Sequence, residues 1–422
     1  LDDDDVFEVN GKGDKLIKIR LIGGQNNDVF RIENGKNIIV YDYKTKKNTI
    51  ENQGNAKLRL TDSYHLNNYD FYKPKYNAFF ALPNAGYNPD DGVKIGTNLS
   101  YEVNRFNRDP FSQKHNFSGM YYFATNGFEL EYQGEFVNVI ADWNLNLQAR
   151  FTSPNFSINY FGYGNEIENR EEEFGMNFNR VKMQTLSFSP SLLRKGRYGT
   201  EIRVGVDLER IKVADTEGRF ISISDEIDPK VFHSQYFASP GISYSYENYD
   251  HQAFPTLGFS FKAKGSWVIN LEETSQNFPV IESYLGFVHK LIPSGRLVYS
   301  TLFKGKFILN DKFEFFQGAT LGGDDGIRGY RNERFLGNKS FYQSSDLRLW
   351  IGSGKGFIPV KYGILGGFDH GRVWNKGENS NKWHYSFGGG IWLNAAEMTS
   401  LNLSLFHSEE GNRFAFGMGF NF

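Results

Sequence analysis

From about Gly92 to the C-terminus, apolar and polar residues alternate with a period of two. Val93, Ile95, Thr97, Leu99, Tyr101 and Val103 fall on one face, with Lys94, Gly96, Asn98, Ser100, Glu102 and Asn104 on the other. Trp143, Leu145, Leu147, Ala149 and Phe151 alternate in the same way with Asp142, Asn144, Asn146, Gln148 and Arg150, and Ile202, Val204, Val206 and Leu208 with Arg203, Gly205, Asp207 and Glu209. Successive side chains of a strand point to opposite faces, so each stretch is a strand with one apolar and one polar side. Sixteen stretches read this way, the first near 92–105, the fifth near 155–163 and the last near 412–422. A soluble sandwich also alternates, so the connections have to decide. One set is short: Thr125-Asn126-Gly127, Thr152-Ser153-Pro154, Arg194-Lys195-Gly196, Pro293-Ser294-Gly295 and Gly352-Ser353-Gly354. The alternate set is long and polar, including Gly164 to Phe174, Lys212 to His233 and Asn310 to Ser340. An even strand number with short turns at one end and long loops at the other predicts an all-β chain, a 16-stranded antiparallel transmembrane β-barrel whose short turns face the periplasm.

Composition is consistent with this. No window approaches the roughly 18 uncharged apolar residues of a membrane-crossing helix. A mean hydropathy of -0.51 is compatible with a membrane barrel, whose alternating strands average out. The chain has 422 residues, 45 glycines and 17% aromatics, with 40 Phe. It has no cysteine, which removes disulfides, zinc-thiolate sites and cysteine nucleophiles together. A net charge of -2 gives no reason to expect nucleic acid.

Residues 1–85 read differently, and the domain boundary is placed there, with the barrel over 86–422. Asp5-Val6-Phe7-Glu8-Val9 recurs as Asp28-Val29-Phe30-Arg31-Ile32 at an offset of 23, and Asn10-Gly11-Lys12 is echoed by Asn34-Gly35-Lys36. Short β-prone runs at such an offset predict stacked rungs, a small solenoid-like, β-rich periplasmic segment. Gly23-Gly24-Gln25-Asn26-Asn27-Asp28 partly resembles a calcium-binding glycine-aspartate repeat, but one copy is present and Asn26 replaces its third glycine. A plain turn is expected; no metal site is assigned, and Asp28 is the weak calcium candidate. No signal peptide opens the chain, and Leu1-Asp2-Asp3-Asp4-Asp5 looks like the interior of something longer.

Candidate chemistry gathers in Leu321-Gly322-Gly323-Asp324-Asp325-Gly326-Ile327-Arg328-Gly329-Tyr330. A lone arginine between glycine-rich turns needs a carboxylate partner if it leaves water. Asp346, in Ser345-Asp346-Leu347-Arg348, and Asp369, in Gly367-Phe368-Asp369-His370-Gly371, are the candidates. Leu347, Leu349 and Ile351 share a lipid-facing parity that points Asp346 and Arg348 inward. In the next strand Tyr362, Ile364, Phe368 and Trp374 share a face, with Asp369 opposite. Gly367 and Gly371 leave room for a loop to approach. The last strand places Phe414, Phe416, Met418, Phe420 and Phe422 on one face, and its Gly417, Phe420 and Phe422 fit a pattern that resembles the signal by which outer-membrane barrels are delivered for insertion.

Together these motifs resemble the BamA-like superfamily, the bacterial surface-antigen barrels that include barrel-assembly insertases and two-partner secretion translocators. Ile327-Arg328-Gly329-Tyr330 is similar to its sixth-loop arginine-glycine-aromatic motif, Asp346-Leu347-Arg348-Leu349 to the acidic strand-twelve position, and Gly367-Phe368-Asp369-His370-Gly371 to the strand-thirteen motif. The resemblance implies that the sixth extracellular loop folds into the lumen and that Arg328 meets the inner-wall residues Asp346 and Asp369. It implies insertion of proteins into the outer membrane of a Gram-negative bacterium, or translocation across it. The expected partners are outer-membrane lipid and client or partner proteins in a multi-subunit complex, with no cofactor. Insertases and translocators of the group carry polypeptide-binding domains of mixed helix and strand, whereas residues 1–85 show no amphipathic helix. That departure resembles a branch in which a calcineurin-like phosphoesterase precedes the barrel, and the alternative expectation is an outer-membrane anchor or scaffold for an upstream module. Within these residues no enzyme is expected. His65, His115, His233, His251, His289, His370, His384 and His407 are scattered with no helical metal spacing, and Asp369 and His370, adjacent on a strand, face opposite ways. Gly417 and Gly419 in the last strand, with Gly92 and Gly96 in the first, predict a seam poor in side-chain contacts.

Overall fold

The computed structural model describes residues 3–11, 17–33, 36–68, 76–106, 110–251, 254–273, 276–323, 326–356, 358–395 and 399–419. They form two compact units, residues 1–79 with 101–114, and residues 80–100 with 115–422.

In the first unit, parallel strands stack as rungs. Val6–Val9 pairs with Val29–Ile32 in the register Val6 to Val29, and Val29–Ile32 pairs with Thr49–Asn52. A second stack runs Ile19–Ile22, Ile38–Asp42 and Lys57–Leu60. The register of the first pair is the 23-residue sequence offset, because each repeat places its like residues one above the other. Phe30, Ile32, Ile38, Val40 and Ala56 fill the space between the stacks, and Phe7 stacks on Phe30 at 5.1 Å. Asn34 and Gly35 lie outside the described residues.

Asp28 and Asp42 are fully buried in this unit. Asp28 Oδ1 accepts from the Asp5 N–H at 2.9 Å and Asp42 Oδ1 from the Tyr43 N–H at 2.6 Å. Their Oδ2 atoms converge where a side chain on Gly23 would sit. Burial, reinforced by the neighbouring Asp28 charge, pushes the Asp42 carboxyl from an ordinary 3.8 up to about 6. A carboxyl with a folded pKa above its unfolded one retains its proton in the fold, so its burial destabilises this unit above about pH 6 and the penalty is relieved towards pH 4. Amide exchange at Val29–Ile32, corrected for its intrinsic pH dependence, should therefore be slower at pH 5 than at pH 7. Equal protection at the two values would remove the carboxyl pair from the stability of the rungs.

The barrel strands are β1 (Ala78–Asn88), β2 (Gly92–Val103), β3 (Gln113–Tyr122), β4 (Gly127–Ile140), β5 (Trp143–Thr152), β6 (Arg180–Lys195), β7 (Thr200–Val213) and β8 (Ser234–Tyr249). They continue as β9 (Gly258–Asn270), β10 (Asn277–Lys290), β11 (Leu297–Ile308), β12 (Lys339–Lys355), β13 (Pro359–Trp374), β14 (His384–Ala395), β15 (Thr399–Ser408) and β16 (Gly411–Gly419). They close into a sixteen-stranded antiparallel barrel, β16 returning to β1. Ile202, Val204, Leu208, Ile281, Phe287, Leu347, Ile351, Ile364, Phe368 and Ile391 are exposed on the wall. Such a belt on a closed sheet is a lipid-facing surface, and closure satisfies the backbone without an edge. The opposite parity buries Asn144, Asn146, Arg348, Asp369 and Ser386.

Four sequence expectations are corrected. The first strand is Ala78–Asn88, so the residue-85/86 boundary falls within it. Pro83 and the unalternating Phe79-Phe80-Ala81-Leu82 mask it, since proline lacks a donor and reads as a break in a strand. The candidate near 155–163 is instead the start of the loop between β5 and β6, with only Ser157–Asn159 paired onto β6. Consequently Gly92 and Gly96 belong to β2 and are not at the seam. The turn at Thr125–Gly127 and the residues Thr152–Pro154 also lie at the long-loop end, since they follow β3 and β5.

Candidate functional site

The sixth long-end loop joins β11 to β12. Within it Ala319–Leu321 and Phe335–Gly337 pair as a short ribbon, and the Ile-Arg-Gly-Tyr motif lies at its tip. Two apolar residues of the motif anchor it. Ile327 and Tyr330 are buried with Leu321, Phe335, Tyr342 and Val373, so the loop carries its own small core against the β12–β13 wall.

Anchoring presents Arg328 to that wall. Its Nη2 donates to Asp369 Oδ1 at 2.6 Å and to Asp346 Oδ1 at 2.8 Å. Its Nε lies 3.0 Å from Asp369 Oδ2, which also accepts from the Arg328 backbone N–H at 3.0 Å and from Ser386 Oγ at 3.0 Å. The fork of a guanidinium suits such paired acceptance. The cation lies 3.9 Å over the Phe406 ring. Asp369 is fully buried, whereas the Arg328 side chain keeps 26% of its exposure.

The glycines make the approach. A Cβ on Gly367 would lie 2.5 Å from Asp346 Oδ1, 2.6 Å from Arg328 Nη2 and 2.8 Å from Phe406 Cζ. One on Gly329 would lie 2.7 Å from Ser386 Cβ and 2.9 Å from Ser408 Cβ, and Ser408 Oγ donates to the Gly329 carbonyl at 2.7 Å. Gly371 packs against the Phe341 carbonyl and Tyr342. Arg348 faces inward but turns away, donating to the Pro255 carbonyl at 2.7 Å. A lumenal cavity of about 560 Å³ reaches from Arg328 and Asp346 to Tyr87 and Gly417 at the junction of β1 and β16.

At that junction Gly417 faces Gly86 and Phe416 faces Tyr87, the two residue pairs that join β16 to β1 among the described residues; β15 and β16 share nine. Phe420 and Phe422 lie outside the described residues. Among the described residues no three His, Asp or Glu side chains are grouped to hold a metal ion, at Asp28 or elsewhere.

No protein-family model matches the chain, and neither does any curated protein sequence. Solved structures do match. BamA from Haemophilus ducreyi lacking POTRA domains 1-3 aligns with a TM-score of 0.56 at 13% identity, over 82% of this chain and 71% of that one. CdiB from Escherichia coli aligns with a TM-score of 0.52 at 10% identity, over 82% of this chain and 63% of its own. CdiB from Acinetobacter baumannii gives 0.50 at 11% identity, over 81% and 59%. The barrel has the fold of BamA and CdiB.

Against that fold, several residues around the motif carry no sequence signal strong enough to single them out. Ser344, Ser386, Phe406 and Ser408 complete the Arg328 surroundings, yet serine and phenylalanine are ordinary residues of a barrel wall. Asp90 and Arg331, described below, are also unmarked. Asp90 reads as part of the Asn88-Pro89-Asp90-Asp91-Gly92 turn, and Arg331 as the residue after the motif.

Proposed function

We propose that this barrel inserts polypeptides into the outer membrane of a Gram-negative bacterium or passes them across it, with client and partner proteins in a complex. The observation that carries this reading is the seam. Among the described residues two pairs join β16 to β1 where nine join β15 to β16, and a wall that parts there would join the lumen to the lipid phase and offer a free strand edge to an incoming chain. The fold shared with BamA and CdiB supports the same reading.

A second reading rests on the first unit. Parallel β-rungs precede this barrel in the chain, which favours an anchor or scaffold for an upstream periplasmic module, of the kind in which a calcineurin-like phosphoesterase precedes the barrel.

Two experiments separate them. Depletion of the protein followed by quantitative mass spectrometry of the outer-membrane fraction should lower other barrel proteins broadly if it is an insertase, and one or a few proteins if it is a dedicated transporter. A Tyr87→Cys/Phe416→Cys pair places two thiols on facing seam residues in a chain with no other cysteine. Oxidation of that pair should arrest growth reversibly if the seam opens in function. Normal growth with the disulfide fully formed would leave the scaffold reading.

A further inference from the structure

The sixth loop does more than occupy the lumen, because its residues after the motif reach both sides of the seam. On the β1 side the acceptor is Asp90, in the β1–β2 turn and 5% exposed. Its Oδ1 accepts from Arg331 Nε at 2.6 Å and from Asn159 Nδ2 at 3.1 Å, and its Oδ2 from the Asn332 backbone N–H at 2.9 Å. Its backbone carbonyl accepts from Arg180 Nη2. Arg331 is fully buried, and its Nη2 also donates to Asn159 Oδ1 at 3.1 Å and the Met176 carbonyl at 3.2 Å.

On the β16 side, Arg334 Nε pairs with Glu410 Oε1 in the β15–β16 turn at 2.6 Å, and Ser408 at the end of β15 donates to Gly329. The two sides also meet directly. Continuing the register of Tyr87 with Phe416 outward by three residues brings Asp90 opposite Arg413, and Arg413 Nη1 lies 3.5 Å from Asp90 Oδ2. Glu171 Oε2, from the loop between β5 and β6, lies 3.5 Å from Arg331 and 3.8 Å from Arg413. Thus, beyond Tyr87 and Phe416, where the described backbone ladder ends on the long-loop side, a buried, charge-assisted network spans the seam.

We infer that Asp90 and Arg331 form a latch by which the sixth loop holds the β1–β16 seam shut at the long-loop end. The loop is fixed to the β12–β13 wall by Arg328 and to the β15–β16 hairpin by Arg334 and Gly329. Its grip on Asp90 therefore ties β1 to a part of the molecule that already holds β16. Separation of the strands has to break the Arg331–Asp90 pair or pull the loop out of the lumen. Either leaves a desolvated charge without its partner, which makes the closed state the resting one. This rests on the reading of the seam as the place where the wall parts, and assigns the control of that opening to the sixth loop.

The test uses the full chain in lipid vesicles, with nitroxides on Phe80→Cys in β1 and Phe414→Cys in β16, both exposed positions on the wall. Pulsed electron spin resonance should give one narrow distance in the parent. Asp90→Asn and Arg331→Gln should each add a longer-distance population, the closed-to-open ratio falling by roughly tenfold or more. A second label pair at Leu347 in β12 and Leu403 in β15 should not change. If Asp90→Asn does not assemble a heat-modifiable barrel, Arg331→Gln carries the test, and Arg413→Gln, which leaves Arg331 paired with Asp90, should open the seam less than Arg331→Gln does. Distance distributions identical to the parent in folded variants would overturn the latch. A widened seam in a protein whose depletion and oxidised cysteine pair have no effect on cells would keep the latch and reject transport. The converse would keep transport and reject the latch.

Discussion

Arg328→Ala is expected to cost the barrel about 3 kcal/mol, the low end of the range for breaking a buried ion pair. The residue left behind sets the size of the effect. Asp369 is fully buried and takes three donors from Arg328, the backbone N–H, Nε and Nη2, of which the variant retains one. The Ser386 hydroxyl also remains. A carboxylate kept from water with half its donors gone destabilises far more than the pair stabilises. Partial hydration moderates the loss, since Asp346 and Arg328 each keep about a quarter of their side-chain exposure. The measurement is the midpoint of heat modifiability on semi-native gels, together with the yield of folded barrel. Arg328→Met with Asp369→Leu should recover most of the loss, because the double variant leaves no unpaired charge on that wall. An unchanged midpoint and yield for Arg328→Ala would strip the clasp of its structural role.

What the sequence discloses of this molecule follows from what has a period. A barrel wall alternates lipid and lumen at every residue, so Ile202 to Leu208 and Leu347 to Ile351 declare both their strand and their outward face. The rungs declare themselves through a 23-residue repeat that the chain uses as a pairing register. β1 is hidden because Pro83 interrupts it and proline in a sequence reads as a break. Residues 155–163 mislead for the opposite reason. Tyr160 and Phe161 are buried, Tyr160 in a core built with loop residues such as Phe315 and Leu336, and inward apolar loop residues look like the face of a strand.

The site divides in the same way. Arg328, Asp346 and Asp369 stand out as charges among glycines in otherwise alternating segments. The Asp90–Arg331 pair joins residues 241 apart, and no local pattern marks a contact of that range. Pairing across such a distance becomes visible only when β16 has returned to β1 and the sixth loop lies inside.

Gly367→Ala should be damaging, whereas Gly366→Ala, one residue away, should be neutral within about 0.5 kcal/mol. Strand parity separates them. The added Cβ at Gly366 meets nothing nearer than the Gly388 carbonyl at 4.0 Å, but at Gly367 it falls within 2.8 Å of the Asp346 carboxylate, the Arg328 guanidinium and the Phe406 ring together. Those three are packed on one another, with the cation 3.9 Å over the ring, so none can yield without loosening the others. Overpacking of this kind costs about 1–3 kcal/mol, and the strain is relieved most directly by lifting the sixth loop from the wall. Protease sensitivity of that loop in intact vesicles should therefore rise in Gly367→Ala and stay at the parent level in Gly366→Ala. Combining Gly367→Ala with Arg328→Ala should cost less than the two changes added, since the methyl then occupies space the guanidinium has left. Strict additivity of the two, or equal effects at Gly366 and Gly367, would mean that the loop does not bear on the wall at Gly367.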